Sequence, residues 1–545
     1  MRIKVFLFIL VLFVTQSSSA QVVFENPDHE VIHFLSRQAQ KGRIIFSDDI
    51  LPISRKEIIH LLNQLKYDDL SKIERKELSF YQKEFTDFKQ IDAERSNIIL
   101  KNDSAKRFRT FSANQDGFLV RMDPIITLQT TQSNFQHLLK NSSGISLYGY
   151  MNKHFSFQAS FRDITETGDG LDSFKRFTPE TGIVQTQNVD YTQTAKKLNY
   201  SDLRGNLTYS WKNGFISIGK DQNLWGYGEN GRIILSNKAP SYPFVRFDYQ
   251  PLKWLRFNYL NAWLQSGIID STASYPKGND VYGPDREIYV SKFLASHSLT
   301  FLPMKGMLLS IGESMVYSDR FDAAYLIPIL FFKAYDQYKS RYQINTGSNG
   351  QFFFQASSRN QIKNTHLYAT LFIDEIRTST IFNPAKSRNQ LGYNLGASVT
   401  DVFIPYLTLG AEYTRINPFV YQNIIPAQTY ANQDYVLGDW MGSNADRWMV
   451  YAKFTPFARL KTALTFQRVR KGSEGTIAQQ YLAEPQPPFL FDLQRVQSSF
   501  SLSSSYEWLN NLYLSAKLDL IHDQNYAKST NSKYSQFQFG IRYGL

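Results

Sequence analysis

From about residue 115 to its end, the chain alternates apolar and polar side chains with period two, and this constrains the fold more than anything else in it. Phe537, Phe539, Ile541, Tyr543 and Leu545 share one face of the last segment, and Gln538, Gly540, Arg542 and Gly544 share the other. Leu391, Tyr393, Leu395, Ala397 and Val399 alternate with Gly392, Asn394, Gly396 and Ser398. Leu512, Leu514, Ala516, Leu518 and Leu520 alternate with Tyr513, Ser515, Lys517 and Asp519, and Phe155–Phe161, Leu207–Trp211 and Leu407–Tyr413 repeat the pattern. Such runs are strands that show an apolar medium one face and a polar medium the other.

The connections between these runs alternate in length. Short turns lie at Lys212–Gly214, Gln250–Lys253, Pro303–Gly306, Pro456–Arg459 and Trp508–Asn511. Long polar segments lie at 164–200, 266–290, 318–365, 415–446 and 470–497. Short turns at one end and long loops at the other are the pattern of an outer-membrane β-barrel, here of roughly 16 to 20 strands. A soluble β-sandwich is the competing architecture. It accounts poorly for aromatic residues at 15% (33 Tyr, 42 Phe, 7 Trp) crowding strand ends, where a membrane barrel carries its girdles. It would also leave Arg162, Glu412, Lys517, Asp519 and Arg542 unpaired in a dry core, whereas a wet lumen would accommodate them.

The fold expected is therefore an all-β transmembrane barrel over 113–545 behind a small α-helical segment over 21–112. Residues 1–20 read as a secretory signal peptide: Arg2 and Lys4, an apolar run from Val5 to Val14, then Ser18-Ser19-Ala20 before cleavage near Ala20. The absence of cysteine rules out disulfides and thiolate metal sites. In the helical zone, Asn26-Pro27 reads as a helix start and Gly42 as a stop, and Ser54–Glu57 and Ser71–Glu74 read as capping boxes. Three short amphipathic helices result, none stable alone, so each must pack on the others or on the barrel. A net charge of +12 suits lipopolysaccharide or an acidic glycan as partner for an exported chain, with no nucleic acid expected; a merely solvated basic surface is the plain alternative.

Two strings imitate enzyme motifs. HEVIH (29–33) matches the zinc-protease helix, with His29 and His33 at i and i+4. On a helical wheel Val31, Ile32, Leu35 and Ala39 form the buried stripe, and His29, His33, Ser36 and Gln40 face solvent. No third histidine follows between Arg37 and Arg43, so no metal and no cofactor is expected. GYGENG (226–231) matches a dinucleotide-binding loop, but Gly231 opens into Arg232-Ile233-Ile234-Leu235, with Pro240 and Pro243 soon after, instead of a helix. These glycines must serve a loop folded tightly inside or over a barrel mouth.

The stretch GKDQNLWGYGENGRIILSNKAPSYP (219–243) resembles the Wzi family of outer-membrane capsule-assembly proteins. The matching elements are Trp225-Gly226, Ile234-Leu235-Ser236-Asn237, Ala239-Pro240 and Pro243. Pro52 with Ser54–Glu57, Gly312-Glu313 with Tyr317 and Arg320, Phe372–Glu375, and Leu437-Gly438 through Gly442–Asp446 are similar as well, while 335–365 departs from the family's pattern. The resemblance implies an 18-stranded barrel with a helical bundle at its periplasmic end. It also implies a lectin-like role, binding capsular or exopolysaccharide at the cell surface and assisting its attachment, without catalysis.

Sugars are held by aromatic stacking and by amide, carboxylate and guanidinium groups, and acidic sugars favour the forked arginine. The first loop offers Trp225, Tyr227, Glu229, Asn230 and Arg232; the late loop offers Trp440, Asn444, Asp446 and Arg447. The alternative is that these residues only hold the loops together and plug the lumen, with sugar bound elsewhere. Two other function classes compete: an open diffusion channel or nutrient-uptake porin, and an outer-membrane enzyme. The helical segment could also meet periplasmic proteins.

Overall fold

The computed structural model describes residues 22–544 except 87–95, 104, 116, 135, 185–189, 193–195, 277–284, 343–346 and 384. The expected leader, its cleavage site near Ala20, and Leu545 lie outside the described residues. Eighteen antiparallel strands close into one barrel. They are β1 (Phe118–Ser133), β2 (Gln136–Met151), β3 (Phe155–Thr167), β4 (Lys197–Trp211), β5 (Gly214–Asp221) and β6 (Tyr242–Leu252). Next come β7 (Leu255–Ile269), β8 (Tyr289–Phe301), β9 (Met307–Ser318), β10 (Asn349–Arg359), β11 (Thr365–Ile376) and β12 (Asn389–Thr400). The ring ends with β13 (Leu407–Ile416), β14 (Ala445–Phe454), β15 (Leu460–Gly472), β16 (Leu493–Leu509), β17 (Leu512–Asn525) and β18 (Thr530–Tyr543). Closure is by β18 against the upper half of β1, from Gln536↔Ser133 to Tyr543↔Ile126.

The apolar face points outward. Leu518, Leu520, Phe537, Phe539 and Ile541 are exposed, whereas Tyr513 and Asp519 on the opposite face are buried. That is the inverse of a soluble sheet and suits a wall in lipid. Trp254, Phe457 and Trp508 ring the short-turn end as exposed aromatics. Among the described residues the strands of the wall sheet start at Ser96, before residue 113. A hairpin of Ser96–Asn102 and Phe108–Gln115 pairs with the lower part of β1 (Phe111↔Met122 to Gln115↔Phe118) and extends the wall below the seam. The segment 318–365, expected as one polar loop, contains β10 and a helix. On β10 the inward Asn349, Gln351 and Gln355 give the strand the polar look of a loop.

The helical zone forms α1 (Glu30–Gln40), α2 (Arg55–Gln64) and α3 (Lys72–Glu84) around a shared core that includes Val31, Leu35, Ile58, Leu62, Leu78 and Tyr81. The cap of α1 is His29, not Asn26: its Nδ1 accepts from the Val31 N–H at 3.1 Å. The Ser71 capping box is complete, and the Ser54 hydroxyl accepts from the Glu57 N–H. The segment also packs on the short-turn end of the barrel. Arg37 and Lys41 pair with Asp401 at 2.5 and 2.7 Å, the Gln40 amide donates to Asn364 O at 3.0 Å, and Ser71 meets the Tyr406 hydroxyl at 2.8 Å. Burial alone would raise the Glu74 carboxyl. The Ser71 N–H with Arg37 and Lys41 outweighs it and holds the group far below the ordinary carboxylate range.

Candidate functional site

A ring of 18 strands leaves an aqueous lumen unless something fills it. Here two loops and the stretch leading into α2 fill it. Ile50-Leu51 forms a two-residue ladder with Leu224-Trp225, and the Gly226 N–H donates to Asp49 O at 2.8 Å. Trp225 is fully buried, edge-on to Phe353 of the wall. Around it Ile233, Ile234, Leu235 and Ala239 join Tyr421, Tyr430, Leu437 and Met441 of the 417–444 loop, and Phe244, Leu260, Leu294 and Val316 of the wall, in one apolar core. The glycines of GYGENG serve this fold. Gly226 has φ +100°, and a Cβ on Gly231 (φ +140°) would sit 2.4 Å from the Asp439 carboxylate.

Ion pairs tie the late loop to the wall, and hydrogen bonds tie it to the first loop. Arg447, wholly buried, donates to both Asp439 oxygens at 3.2 and 3.0 Å and to Glu412 at 3.3 Å. Glu412 also accepts from the Tyr368 hydroxyl at 2.6 Å and the Glu229 N–H at 2.8 Å. Removing one partner from such a buried set costs about 3–5 kcal/mol, because the rest keep uncompensated charge. Glu412 was expected in a wet lumen. It lies instead buried among its partners, stabilised by these pairings. The Trp440 indole N–H donates to Asn230 O at 2.7 Å, and Asn444 ties its loop to Ser473 O at 2.8 Å and Phe491 O at 3.2 Å.

The residues expected to contact sugar are thus distributed as follows. Tyr227, Glu229, Asn230, Arg232 and Trp440 converge on one internal chamber of about 300 Å3 between the plug and α1. Burial lowers the Arg232 guanidinium there, and its Nη1 donates to Asp48 O at 3.1 Å. Asp48, raised by burial but paired with Arg359 at 2.6 Å, is held down at about 2. Trp225 and Arg447 lie in the core beside it. Asn444 sits in a loop junction, and Asp446 faces away from all of these. Neighbouring strand residues point to opposite sides, so Asp446 shares the outer face with exposed Trp448 and Val450, paired with Arg470 at 2.9 and 2.5 Å. Most of their polar groups are already bonded within the protein.

The histidines of HEVIH part company as well. His29 and Gln40, expected in solvent, are buried, because the polar side of α1 abuts the barrel floor. The His29 ring lies against Tyr81, Phe85 and Tyr513, its Nδ1 engaged by the cap. His33 is exposed to the chamber and to an adjoining one of about 400 Å3. Among the described residues no group of three or more His, Asp or Glu is placed to hold a metal.

At the long-loop mouth the structure presents residues that sequence reasoning missed. Phe174 and Arg176 are exposed, with the guanidinium 5.0 Å from the ring centroid. Between and beside them, Lys175 is buried against Glu166 at 2.9 Å, Phe177 meets Trp440 edge-on, and the Tyr435 hydroxyl donates to Phe174 O at 2.7 Å. Lys238 of the plug donates to Lys175 O, to Thr178 O at 3.0 Å and to Glu180 O at 3.0 Å. An exposed ring and an exposed guanidinium are therefore held on a rigid base bonded to the plug. The signal in the sequence is the aromatic–basic alternation Phe174-Lys175-Arg176-Phe177 within a long loop.

Fold and filling together define a plugged transmembrane β-barrel, one whose own loops and leading segment occupy the lumen. The chain belongs to the family described as capsule assembly protein Wzi, whose model matches residues 180–532. Among solved structures it is similar to Wzi of Escherichia coli, an outer membrane protein involved in group 1 capsule assembly and a carbohydrate-binding β-barrel. That likeness has a TM-score of 0.58 and 11% identity, covering 96% of this chain and 100% of that one. OprD and OccK8 (OprE) of Pseudomonas aeruginosa align over 78% of this chain and 95% and 98% of theirs, both with a TM-score of 0.43, at 9% and 8% identity. No curated protein sequence matches.

Proposed function

We propose that the protein is a non-enzymatic outer-membrane barrel that holds acidic capsular or exopolysaccharide on its long-loop face and so assists capsule attachment. The observation that carries this reading is a lumen plugged by an apolar core of its own loops beneath a rigid aromatic–arginine surface at the mouth. A barrel plugged in this way has little use as a wide pore, and its built surface lies outside. Phe174 stacks on a sugar face and Arg176 forks onto a uronate or similar carboxylate. Trp225, Tyr227, Glu229, Arg232, Trp440, Asn444, Asp446 and Arg447 act in this reading by holding the plug and the loops that carry the surface. The helical segment closes the periplasmic end, where it is available to periplasmic partners.

The test is retention of purified acidic capsular polysaccharide by the intact protein. Phe174→Ala with Arg176→Ala is expected to lower retention about tenfold, while the barrel keeps its heat-modifiable mobility on gels. Unchanged retention would overturn the assignment of the mouth. In planar bilayers the wild-type protein is expected to stay closed; large stable currents would favour the porin reading instead.

A further inference from the structure

One long connection does not fold into or over the barrel. Residues 319–342, between β9 and β10, descend along the outer wall and return as α4 (Phe332–Tyr342). The ring contacts of this strap are with outward side chains of the wall. Phe321 stacks on Trp263, with ring centroids 6.1 Å apart, and Tyr325 stacks on Tyr317 at 4.4 Å. Tyr325 O accepts from the Tyr259 hydroxyl at 2.7 Å, and His297 Nδ1 lies 2.9 Å from Pro328 O. Glu313, an acid on the lipid-facing side of β9, is covered: it accepts from the Phe332 and Lys333 N–H groups at 2.5 and 3.2 Å and lies 3.2 Å from His297 Nε2. Bare in hydrocarbon that carboxylate would cost several kcal/mol, so the strap is a fixed part of the wall.

The strap's outer surface is graded with depth. Its lowest part, Leu326-Ile327-Pro328-Ile329-Leu330-Phe331, is wholly apolar, and Ile329 is 83% exposed. The five strand positions from Glu313 up to Ser318 amount to about 16 Å along the strand, or ~12 Å of depth at the usual tilt. The tip thus lies within the outer half of a hydrocarbon core about 30 Å thick. Arg320 and Arg341, at the upper ends of the two limbs, are exposed and have no ion-pair partner among the described residues, whereas Lys339 is paired with Asp322 at 2.9 Å.

We propose that the strap is a seat for lipid A, the acylated, bis-phosphorylated glucosamine anchor of lipopolysaccharide. The acyl chains lie on the apolar tip and the phosphates on Arg320 and Arg341. The surface is continuous with the lipid-facing wall, its charge complements phosphate, and its depth matches the leaflet on the long-loop side. This rests on the reading above that the long loops face outward from the cell.

The test is native mass spectrometry of the full chain in detergent with purified bis-phosphorylated lipid A. A one-to-one adduct is expected, weakened at least tenfold in Arg320→Ala/Arg341→Ala and also in Ile329→Gln. Phosphatidylglycerol at equal concentration is expected not to displace it. Equal lipid A binding by wild type and variants, or equal binding of phosphatidylglycerol, would overturn the proposal. Polysaccharide retention is expected to survive the double variant, so loss of the lipid seat and failure of the glycan reading give different results.

Discussion

Across β6, β7, β8 and β9 a row of register partners, Phe244, Ala262, Leu294 and Val316, points into the lumen and is buried in the plug. Across β15 to β18 and β1 the corresponding row is Thr465, Ser501, Asp519, Gln536 and Ser133, small or polar and mostly half-buried. The outer faces of both arcs are largely apolar, bare on β15 to β18 and partly covered by the 319–342 strap on β7 to β9. The inner faces differ because one is a wall of the apolar plug core and the other is only half-buried. Alternation is therefore cleanest where the lumen stays polar, as in Leu512–Leu520. It blurs where strands are apolar on both sides, as in Tyr259-Leu260 and Phe293-Leu294-Ala295. Loss of period two within a membrane barrel marks the arc on which a plug is seated.

The strongest way to break this comparison is Trp225→Ala. Emptying that buried volume is expected to cost the plug about 3–5 kcal/mol, with measurable currents in planar bilayers and protease cleavage within 222–243. A variant as closed as the wild type would mean that the polar arc, and not the plug, sets permeability. Acid sharpens the comparison from a different side. Glu84 would be raised by burial, but Arg107, Arg109 and Arg55 hold it far below its ordinary range, as Glu74 is held. A depressed folded pKa means the unfolded segment binds more protons. The stabilisation is thus complete above the unfolded value near 4.3 and is lost as pH falls below it. Proteolysis of the helical segment is expected to rise steeply below about pH 4 while the apolar plug core stays protected; simultaneous loss of both would show a single cooperative unit. The smallest effect belongs to the polar arc. Ser503→Ala is expected to change stability by less than about 0.5 kcal/mol and to leave bilayer currents as they were. A change as large as that of Trp225→Ala would erase the distinction between the arcs.

Much of the architecture could be read from residues alone. The alternation from Phe118 to Tyr543 identified the barrel, the short turns its lower rim, and the capping signals at Ser54 and Ser71 two of the three helices. The start of α1 lies later than Asn26-Pro27 suggests, because His29, not the more usual Asn, supplies the cap acceptor. The site was less legible. Tyr227, Arg232 and Trp440 do converge, but on a chamber inside the plug. Asp446 and Arg447, adjacent in sequence, end on opposite sides of the wall, since a strand reverses its side chains at each step. Phe174 and Arg176 have a surface only because Lys238 and Tyr435, far along the chain, hold the loop beneath them.

Local periodicity by itself determined which face of each strand meets lipid, because that choice depends only on side chains two residues apart. What fills the cylinder was decided by the tertiary structure alone. Ile50 against Trp225, Asp439 against Arg447 and Glu313 against the start of α4 are pairings between distant or separately folded segments. Whether a loop turns inward as plug or outward as strap depends on which buried partner awaits it.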